Sequence, residues 1–294
     1  MSIFVGSGVA ITTPFDIGGE VNYTSYEKHI DFLISNKSDA IITCGTTGES
    51  STLNDKEHLK TIEMAVKFTG GRVPVIAGTG SNDTKHGVEL CKGAEKAGAD
   101  ALLLVTPYYN KTTQKGLIRH FTEMARNVEI PIMLYNVPGR TGLNILPETA
   151  VELSKIENIV AIKEASGDLD QIMKLASLCD DDFDIYTGND NQVVPTLSLG
   201  GKGVISVIAN IMPEEVHDMV IDFLKGNVKE SLDIQLKMLS LVEALFSEVN
   251  PMPIKAALNV MGFEQGNCRL PLCEISDKTA SRLIGEMNKL GLLK

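Results

Sequence analysis

The stretch IVAIKEAS, residues 159–166, decides the fold. It opens on four apolar residues in a row, which is typical of a parallel strand covered on both faces. Lys163 comes directly after these four residues, although lysine is among the residue types least often buried. The stretch therefore predicts a buried parallel strand that carries a lysine, and the lysine needs an explanation.

Seven further short apolar runs share this pattern and lie at residues 8–12, 39–45, 73–78, 101–107, 131–137, 183–189 and 203–209. Amphipathic segments separate them, and the clearest has Asn54 as N-cap, Glu57 as capping-box partner and Gly70-Gly71 at its end. Eight such units predict an α/β fold, a (β/α)₈ TIM barrel with its active site at the carboxyl ends of the strands. A doubly wound open sheet is the alternative, but no GxGxxG fingerprint follows the first run.

The predicted barrel, with the active site, occupies residues 1–225. Residues 226–294 continue with helical periodicity, as at Val228, Leu232 and Leu239, and a final helix is expected from about Ser276. No Pro/Ser-rich linker separates the two parts. We therefore expect a C-terminal helical region packed on the barrel without a flexible hinge.

Composition narrows the class of protein. The 294 residues are 43% hydrophobic and carry a net charge of −11 without a Lys/Arg-rich run, which disfavours nucleic acid and anionic membranes as partners. The start of the chain lacks a basic n-region, and no apolar stretch reaches the roughly 20 residues that span a bilayer. Five cysteines without a CxxC pair indicate reduced thiols and a cytoplasmic protein, and no histidine lies near Cys268 and Cys273 to complete a metal site.

Lys163 is the centre of the predicted site. A lysine in an apolar barrel interior loses hydration, which favours the neutral amine, and a neutral amine can form a Schiff base with a ketone. The iminium is itself an electron sink, so this chemistry needs no metal or pyridoxal cofactor. The alternative is a structural lysine paired with a carboxylate. Glu164 is the nearest in sequence, but adjacent strand residues point to opposite faces.

Other polar groups follow neighbouring strands. The turn GTTGES, residues 45–50, offers backbone N–H groups to a small carboxylate, or is a plain turn with capping hydroxyls. Tyr135 is a candidate proton donor and acceptor, or a buried tyrosine bonded to backbone. Arg140 is a candidate carboxylate clamp, or a surface salt-bridge partner. Their positions at successive strand ends favour the functional alternatives.

The combination of motifs resembles the dihydrodipicolinate synthase family over nearly the whole chain. The matching segments are GTTGES (45–50), VTPYYN (105–110), YNVPGRTG (135–142), IKEASGD (162–168) and NPMPIKAALN (250–259). The resemblance implies a Schiff-base lyase that condenses pyruvate with L-aspartate 4-semialdehyde in lysine and diaminopimelate biosynthesis. It also implies a homotetramer built from two tight dimers.

The resemblance assigns roles to individual residues. Lys163 forms the pyruvate imine and Tyr135 is the acid/base. Thr46 forms a hydrogen bond to Tyr135 and relays the proton of Tyr135. Tyr109 of the neighbouring subunit completes the relay. The pyruvate pocket is formed by Thr46, Thr47, Gly188 and Ile205, and the carboxylate of the semialdehyde is bound by Arg140.

Two alternative functions stay open. N-acetylneuraminate lyase shares the lysine, the tyrosine and a GTTGE-like turn, but Arg140 is expected of the synthase. A non-catalytic barrel that binds a small acid would use Lys163 as a salt-bridge partner. The joint presence of lysine, tyrosine and threonine argues against that second alternative.

The resemblance also predicts weak or absent inhibition by L-lysine. An effector site would be lined by Ser50, Ser51, Asp55, His58, Asn82, His86 and Tyr108. Two of these depart from lysine-sensitive relatives, because Asp55 stands where they can carry a histidine and His86 where they present a glutamate. A mostly neutral histidine cannot replace that carboxylate as a partner for the lysine ammonium.

Overall fold

The computed structural model describes residues 2–293. Eight parallel strands close into a barrel in sequence order, with the last strand paired to the first. They are β1 (Gly6–Ala10), β2 (Ala40–Thr43), β3 (Val75–Gly78), β4 (Ala101–Val105), β5 (Ile132–Asn136), β6 (Ile159–Glu164), β7 (Asp184–Thr187) and β8 (Gly203–Ser206). The predicted (β/α)₈ barrel is therefore confirmed.

Helices connect and cover the strands. Within residues 2–293 they are α1 (Tyr23–Ser35), α2 (Asp55–Thr69), α3 (Thr84–Lys96), α4 (Gln114–Ala125), α5 (Pro138–Thr141), α6 (Pro147–Ser154), α7 (Leu169–Leu178), α8 (Val193–Ser198), α9 (Pro213–Leu224), α10 (Val228–Leu245), α11 (Met252–Val260) and α12 (Asp277–Lys289). None of them is long and apolar enough to cross a membrane.

Local signals set the helix ends as predicted. Asn54 and Glu57 form the reciprocal capping box of α2, which satisfies two otherwise unpaired N–H groups. Gly70 ends that helix in the left-handed region at a φ of 58°, where glycine has no Cβ to strain. The side chain of Ser276 caps α12.

The first strand differs slightly from its predicted span. The apolar run covers residues 8–12, but β1 lies at Gly6–Ala10. Thr12 lies past the strand because its N–H donates to Asn210 Oδ1 and its hydroxyl donates to Gln265 Oε1. These long-range polar contacts end the strand before its apolar pattern ends.

The barrel interior is filled at its amino end and polar at its carboxyl end. Phe4 and Tyr186 stack at 4.6 Å between ring centroids, and the Tyr186 hydroxyl donates to the Phe4 carbonyl. Buried apolar side chains of successive strands lie above them, among them Ile42, Leu103 and Met133. Tyr135 belongs to the same cluster, so the packed interior leads directly to the candidate site.

Helices α10 to α12 pack with α9 and the barrel in one apolar cluster. Leu241 and Leu245 of α10, Ile254 of α11 and Leu283 of α12 belong to the cluster that also contains Val9 of β1. The continuous burial means that the C-terminal helices share a core with the barrel. The division of the chain at residue 225 stays a prediction.

Candidate active site

Lys163 and Tyr135 lie side by side in the barrel. They are register partners on β6 and β5, so both side chains point to the same face of the sheet. Lys163 Nζ is 4.3 Å from the centre of the Tyr135 ring, and the two side chains are 6% and 7% exposed as residues. A primary amine and a phenol are thereby held together in a buried setting.

Glu164 points away from this pair. Its carboxylate accepts hydrogen bonds from Asn136 Nδ2 and Gln171 Nε2, each at 2.8 Å, on the outer face of the barrel. Among residues 2–293, Lys163 forms no salt bridge with any carboxylate. The alternative of a structural lysine paired with a carboxylate therefore finds no partner in the structure.

A cavity at the carboxyl ends of the strands contains this pair. Its lining comprises Ala10, Ile42, Gly45, Thr46, Thr47, Leu103, Tyr135, Val137, Arg140, Lys163, Ala165, Gly188, Asn189, Val207, Phe246 and Asn250. Six of the predicted site residues are brought together there: Thr46, Thr47, Tyr135, Arg140, Lys163 and Gly188. Thr46 and Tyr135 both reach the cavity, but no hydrogen bond joins their side chains within residues 2–293.

Two predicted site residues lie outside this lining. Ile205 is fully buried in β8, and Val207 two positions later reaches the cavity instead. The backbone here is fixed by Asp190 Oδ2, which accepts from the N–H groups of Val207 and Ile208, each at 3.0 Å. Tyr109 is 92% exposed and adopts a φ of 69°, so its side chain projects away from its own cavity.

The GTTGES turn is anchored from the far end of the chain. Glu49 adopts a left-handed φ of 54° and is fully buried, with Oε1 2.8 Å from Lys255 Nζ of α11. The Arg269 N–H donates to the other oxygen of Glu49 at 2.9 Å. Burial lowers the pKa of Lys255, and the Glu49 carboxylate opposes that effect. This buried pair holds the turn that carries Thr46 and Thr47 over the cavity.

Arg140 reaches the mouth through a short helix. Pro138 is at the first position of α5, where its fixed φ suits the start of a helix, and Gly142 ends it at a φ of 68°. Arg140 Nη2 donates to the Asn250 carbonyl at 3.3 Å. This bond aims the guanidinium across the cavity, where its remaining N–H groups suit a carboxylate.

Asn250 is a site residue that sequence reasoning did not identify. It lines the cavity, its Nδ2 donates to Thr47 Oγ1 at 3.0 Å, and its buried Oδ1 has no partner within the described chain. The motif NPMPIKAALN marked this segment, but no property of the letters shows that Asn250 meets a turn 203 positions earlier. Asn189, Val207 and Phe246 also line the cavity and were not predicted as site residues.

A second pocket adjoins the cavity and shares Thr46, Val137 and Arg140 with it. Six of the predicted effector residues line it: Ser50, Ser51, Asp55, His58, His86 and Tyr108. Asn82 is not in the lining, but its Nδ2 donates to the Tyr108 carbonyl at 3.1 Å.

Asp55 and His86, the two predicted effector residues that depart from lysine-sensitive relatives, contact each other. His86 Nε2 lies 2.9 Å from Asp55 Oδ1. His58 is buried and its Nε2 lies 2.7 Å from the Gly78 carbonyl oxygen, and burial lowers the pKa of this histidine. Asp55 and His86 are therefore already paired with each other.

Comparisons with known proteins agree with one another. The family model described as the dihydrodipicolinate synthetase family matches residues 3–289. A 4-hydroxy-tetrahydrodipicolinate synthase of Lachnoclostridium phytofermentans is 57% identical over 294 residues, which is 100% of both chains.

Solved structures give the same result. A dihydrodipicolinate synthase from Cyanidioschyzon merolae with lysine bound has 41% identity and a TM-score of 0.97, covering 100% of both chains. A monomeric dihydrodipicolinate synthase variant has 43% identity and a TM-score of 0.97, covering 99% of this chain and 98% of that one. With a family match over almost its whole length and a relative above half identity, the chain belongs to the dihydrodipicolinate synthetase family.

Proposed function

We propose that this chain is a Schiff-base lyase that condenses pyruvate with L-aspartate 4-semialdehyde to give 4-hydroxy-tetrahydrodipicolinate, in the cytoplasm. The observation that carries the proposal is a buried Lys163 amine beside the Tyr135 phenol, with no carboxylate of residues 2–293 paired to it. Membership of the dihydrodipicolinate synthetase family supports the same chemistry.

The first half of the reaction uses Lys163 and Tyr135. The Lys163 amine adds to C2 of pyruvate, and loss of one water gives the imine. Tyr135 transfers the protons of this step and then accepts one from C3, which leaves the enamine. Thr46, Thr47 and the backbone near Ile205 hold the pyruvate carboxylate, and Gly188 leaves room beside the lysine.

The second half joins the two substrates. C3 of the enamine attacks the aldehyde carbon of the semialdehyde, and the aldehyde oxygen takes up a proton. The substrate amine then attacks C2 and releases Lys163 as the free amine while the ring closes. Arg140 holds the carboxylate of the semialdehyde at the mouth.

We also propose a homotetramer in which Tyr109 completes the proton relay of a neighbouring subunit, with Thr46 as the link to Tyr135. The 92% exposure of Tyr109 supports this role, because a side chain that leaves its own cavity is available to another subunit. The second pocket is the proposed effector site, and the exchanged Asp55 and His86 support a weak response to L-lysine.

Arg140 favours the synthase over an N-acetylneuraminate lyase. The guanidinium lines the same cavity as Lys163, where its planar N–H groups suit bidentate binding of a substrate carboxylate. A barrel that only binds a small acid would not need the Tyr135 phenol beside the Lys163 amine, or Thr46 in the same cavity.

One experiment tests the proposed function. The protein is incubated with pyruvate and reduced with borohydride, and the adduct is located by mass spectrometry. We expect a pyruvate adduct on Lys163, turnover in a coupled assay with the semialdehyde, and no cleavage of N-acetylneuraminate. An adduct on a different lysine, or no adduct, would contradict the proposal, and Lys163→Ala is expected to lose nearly all turnover.

A further inference from the structure

A buried polar network lies on the outer face of the barrel, behind the reacting pair. It consists of Asn136, Asn144, Glu164 and Gln171, which we call the outer polar network. Glu164 and Asn136 are 0% exposed. Glu164 Oε2 accepts from Asn136 Nδ2 and Gln171 Nε2, and Asn144 Oδ1 accepts from Asn136 Nδ2 at 2.7 Å. Amide donors rather than a cation therefore satisfy this carboxylate.

The network is attached to the two reacting residues through the backbone. Asn136 follows Tyr135 on β5, and Glu164 follows Lys163 on β6. Both couples are register partners, so the contact between Asn136 and Glu164 lies directly next to that between Tyr135 and Lys163. Adjacent strand residues point to opposite faces, so the network does not touch the substrate.

The same side chains hold the loops after both strands. Glu164 Oε1 accepts from the Ser166 N–H at 2.6 Å, and Asn136 Oδ1 accepts from the Ile145 N–H at 2.9 Å. Gln171 brings in α7, because its Nε2 reaches Glu164. A buried donor or acceptor that loses its partner is costly, so the set has one low-energy arrangement.

We propose that Glu164 is a positioning residue that keeps Lys163 and Tyr135 in register for imine formation. The outer polar network ties the ends of β5 and β6 together one residue past the reacting pair. A displacement of about 1 Å at a reacting group can cost about a hundredfold in rate, so this tie governs the chemistry without contact to the substrate. The inference rests on the proposed function, in which Lys163 forms the imine.

Glu164→Gln is the first test variant. The single amide oxygen of the new side chain can serve either Ser166 N–H or the two amide donors, but not both. The new NH₂ group must then point either at the Ser166 N–H or at the amide donors of Asn136 and Gln171, so a donor meets a donor at one of the two places. We expect the rate of borohydride trapping of pyruvate and the value of kcat to fall by about tenfold to a hundredfold in folded protein.

The double variant Glu164→Gln with Asn136→Asp is the rescue. The carboxylate at 136 now accepts from the amide at 164, which keeps its oxygen on Ser166 N–H. Flipping the amides of Asn144 and Gln171 reverses their hydrogen bonds, so every bond of the network is restored in the opposite direction. We expect the trapping rate to recover to within about threefold of the unaltered protein, because geometry is restored.

Asn158→Leu is the matched control at the opposite end of the same strand. Asn158 Nδ2 donates to the carbonyls of Ala125 and Val128, each at 3.0 Å, next to the start of β6. This variant also removes polar contacts around β6, so we expect a lower melting temperature and an unchanged trapping rate. A purely structural role of Glu164 would give its variant that same result.

The outcomes separate the two proposals. Failure of the unaltered protein to trap pyruvate on Lys163 counts against the proposed function. Normal trapping by the unaltered protein together with normal trapping by folded Glu164→Gln overturns the positioning role, as does a folded double variant without recovery. If either of these variants does not fold, Gln171→Met decides. It removes one donor to Glu164, so slower trapping supports the positioning role and an unchanged rate overturns it.

Discussion

At the scale of single residues, the position of the Lys163 amine depends on the free space beside it as well as on its neighbours. A Cβ built on Gly188 would lie 2.7 Å from Lys163 Cε and 2.7 Å from Ala165 Cβ. Real Cβ atoms do not approach so closely, and Ala165 Cβ cannot move without its backbone. The lysine side chain must then bend away, so Gly188 is a steric requirement for the position of the amine.

We therefore expect Gly188→Ala to impair both chemistry and folding. Displacing the amine should lower kcat and the rate of borohydride trapping by at least about tenfold. Overpacking at the site should cost about 1–3 kcal/mol of unfolding free energy, measured by denaturant titration. Gly285→Ala in α12 is the control, since a Cβ there meets no atom of the described residues within 4 Å. Trapping at the normal rate by Gly188→Ala would contradict the steric argument.

At the scale of elements, the sequence predicts what local forces decide. All eight strands and the capped ends of α2 and α12 were predictable, because apolar runs and capping residues act within a few positions. The end of β1 was not, because partners 198 and 253 positions away bind Thr12. Asn250 and the anchor between Lys255 and Glu49 escaped prediction for the same reason.

Helix α1 carries a histidine whose titration should affect stability. His29 is fully buried and its Nε2 lies 3.2 Å from the Asn210 carbonyl oxygen. Burial lowers the pKa of His29 to about 4 from its ordinary 6.5. Below pH 6.5 the unfolded chain therefore binds a proton at His29, whereas His29 in the folded protein stays mostly neutral until the pH nears 4. Stability falls as the pH drops from 6.5 towards 4, by about 2 kcal/mol at pH 5 from this group.

His29→Gln isolates this contribution, because glutamine can donate to the same carbonyl but does not titrate. The unfolding free energies of both proteins are compared at pH 7 and pH 5 by urea titration. We expect the unaltered protein to lose about 2 kcal/mol more than the variant over this interval. His58 and His120, whose pKa values burial also lowers, are common to both proteins and cancel. Equal losses would show that His29 does not set the acid sensitivity.

At the scale of the whole molecule, two pockets meet at the active-site mouth. The cavity around Lys163 and the proposed effector pocket share Thr46, Val137 and Arg140. A ligand in the second pocket would thus touch residues of the first. The family resemblance led us to expect six of the residues that line the second pocket, but it did not predict that Asp55 and His86 would pair across it at 2.9 Å.

This pairing leads to the expectation that L-lysine inhibits weakly. The lysine ammonium needs a carboxylate, and Oδ1 of Asp55 already lies 2.9 Å from His86 Nε2. A lost charge-assisted hydrogen bond costs about 1.5–3 kcal/mol, which is about ten- to a hundredfold in affinity. We expect half-inhibition above about a millimolar when L-lysine is titrated against the initial rate at subsaturating pyruvate.

Exchanging the pair tests the cause. Asp55→His combined with His86→Glu keeps one acid and one base in the pocket and preserves the net charge, but moves the carboxylate to position 86. If the position of the carboxylate limits binding, the double variant should be inhibited at about ten- to a hundredfold lower L-lysine. Adding His58→Gln to the double variant should leave most of the gain in L-lysine sensitivity, since His58 already binds the Gly78 carbonyl. Submillimolar inhibition of the unaltered protein, or a double variant as insensitive as its parent, would mean that the two departures from the lysine-sensitive pattern do not control the response.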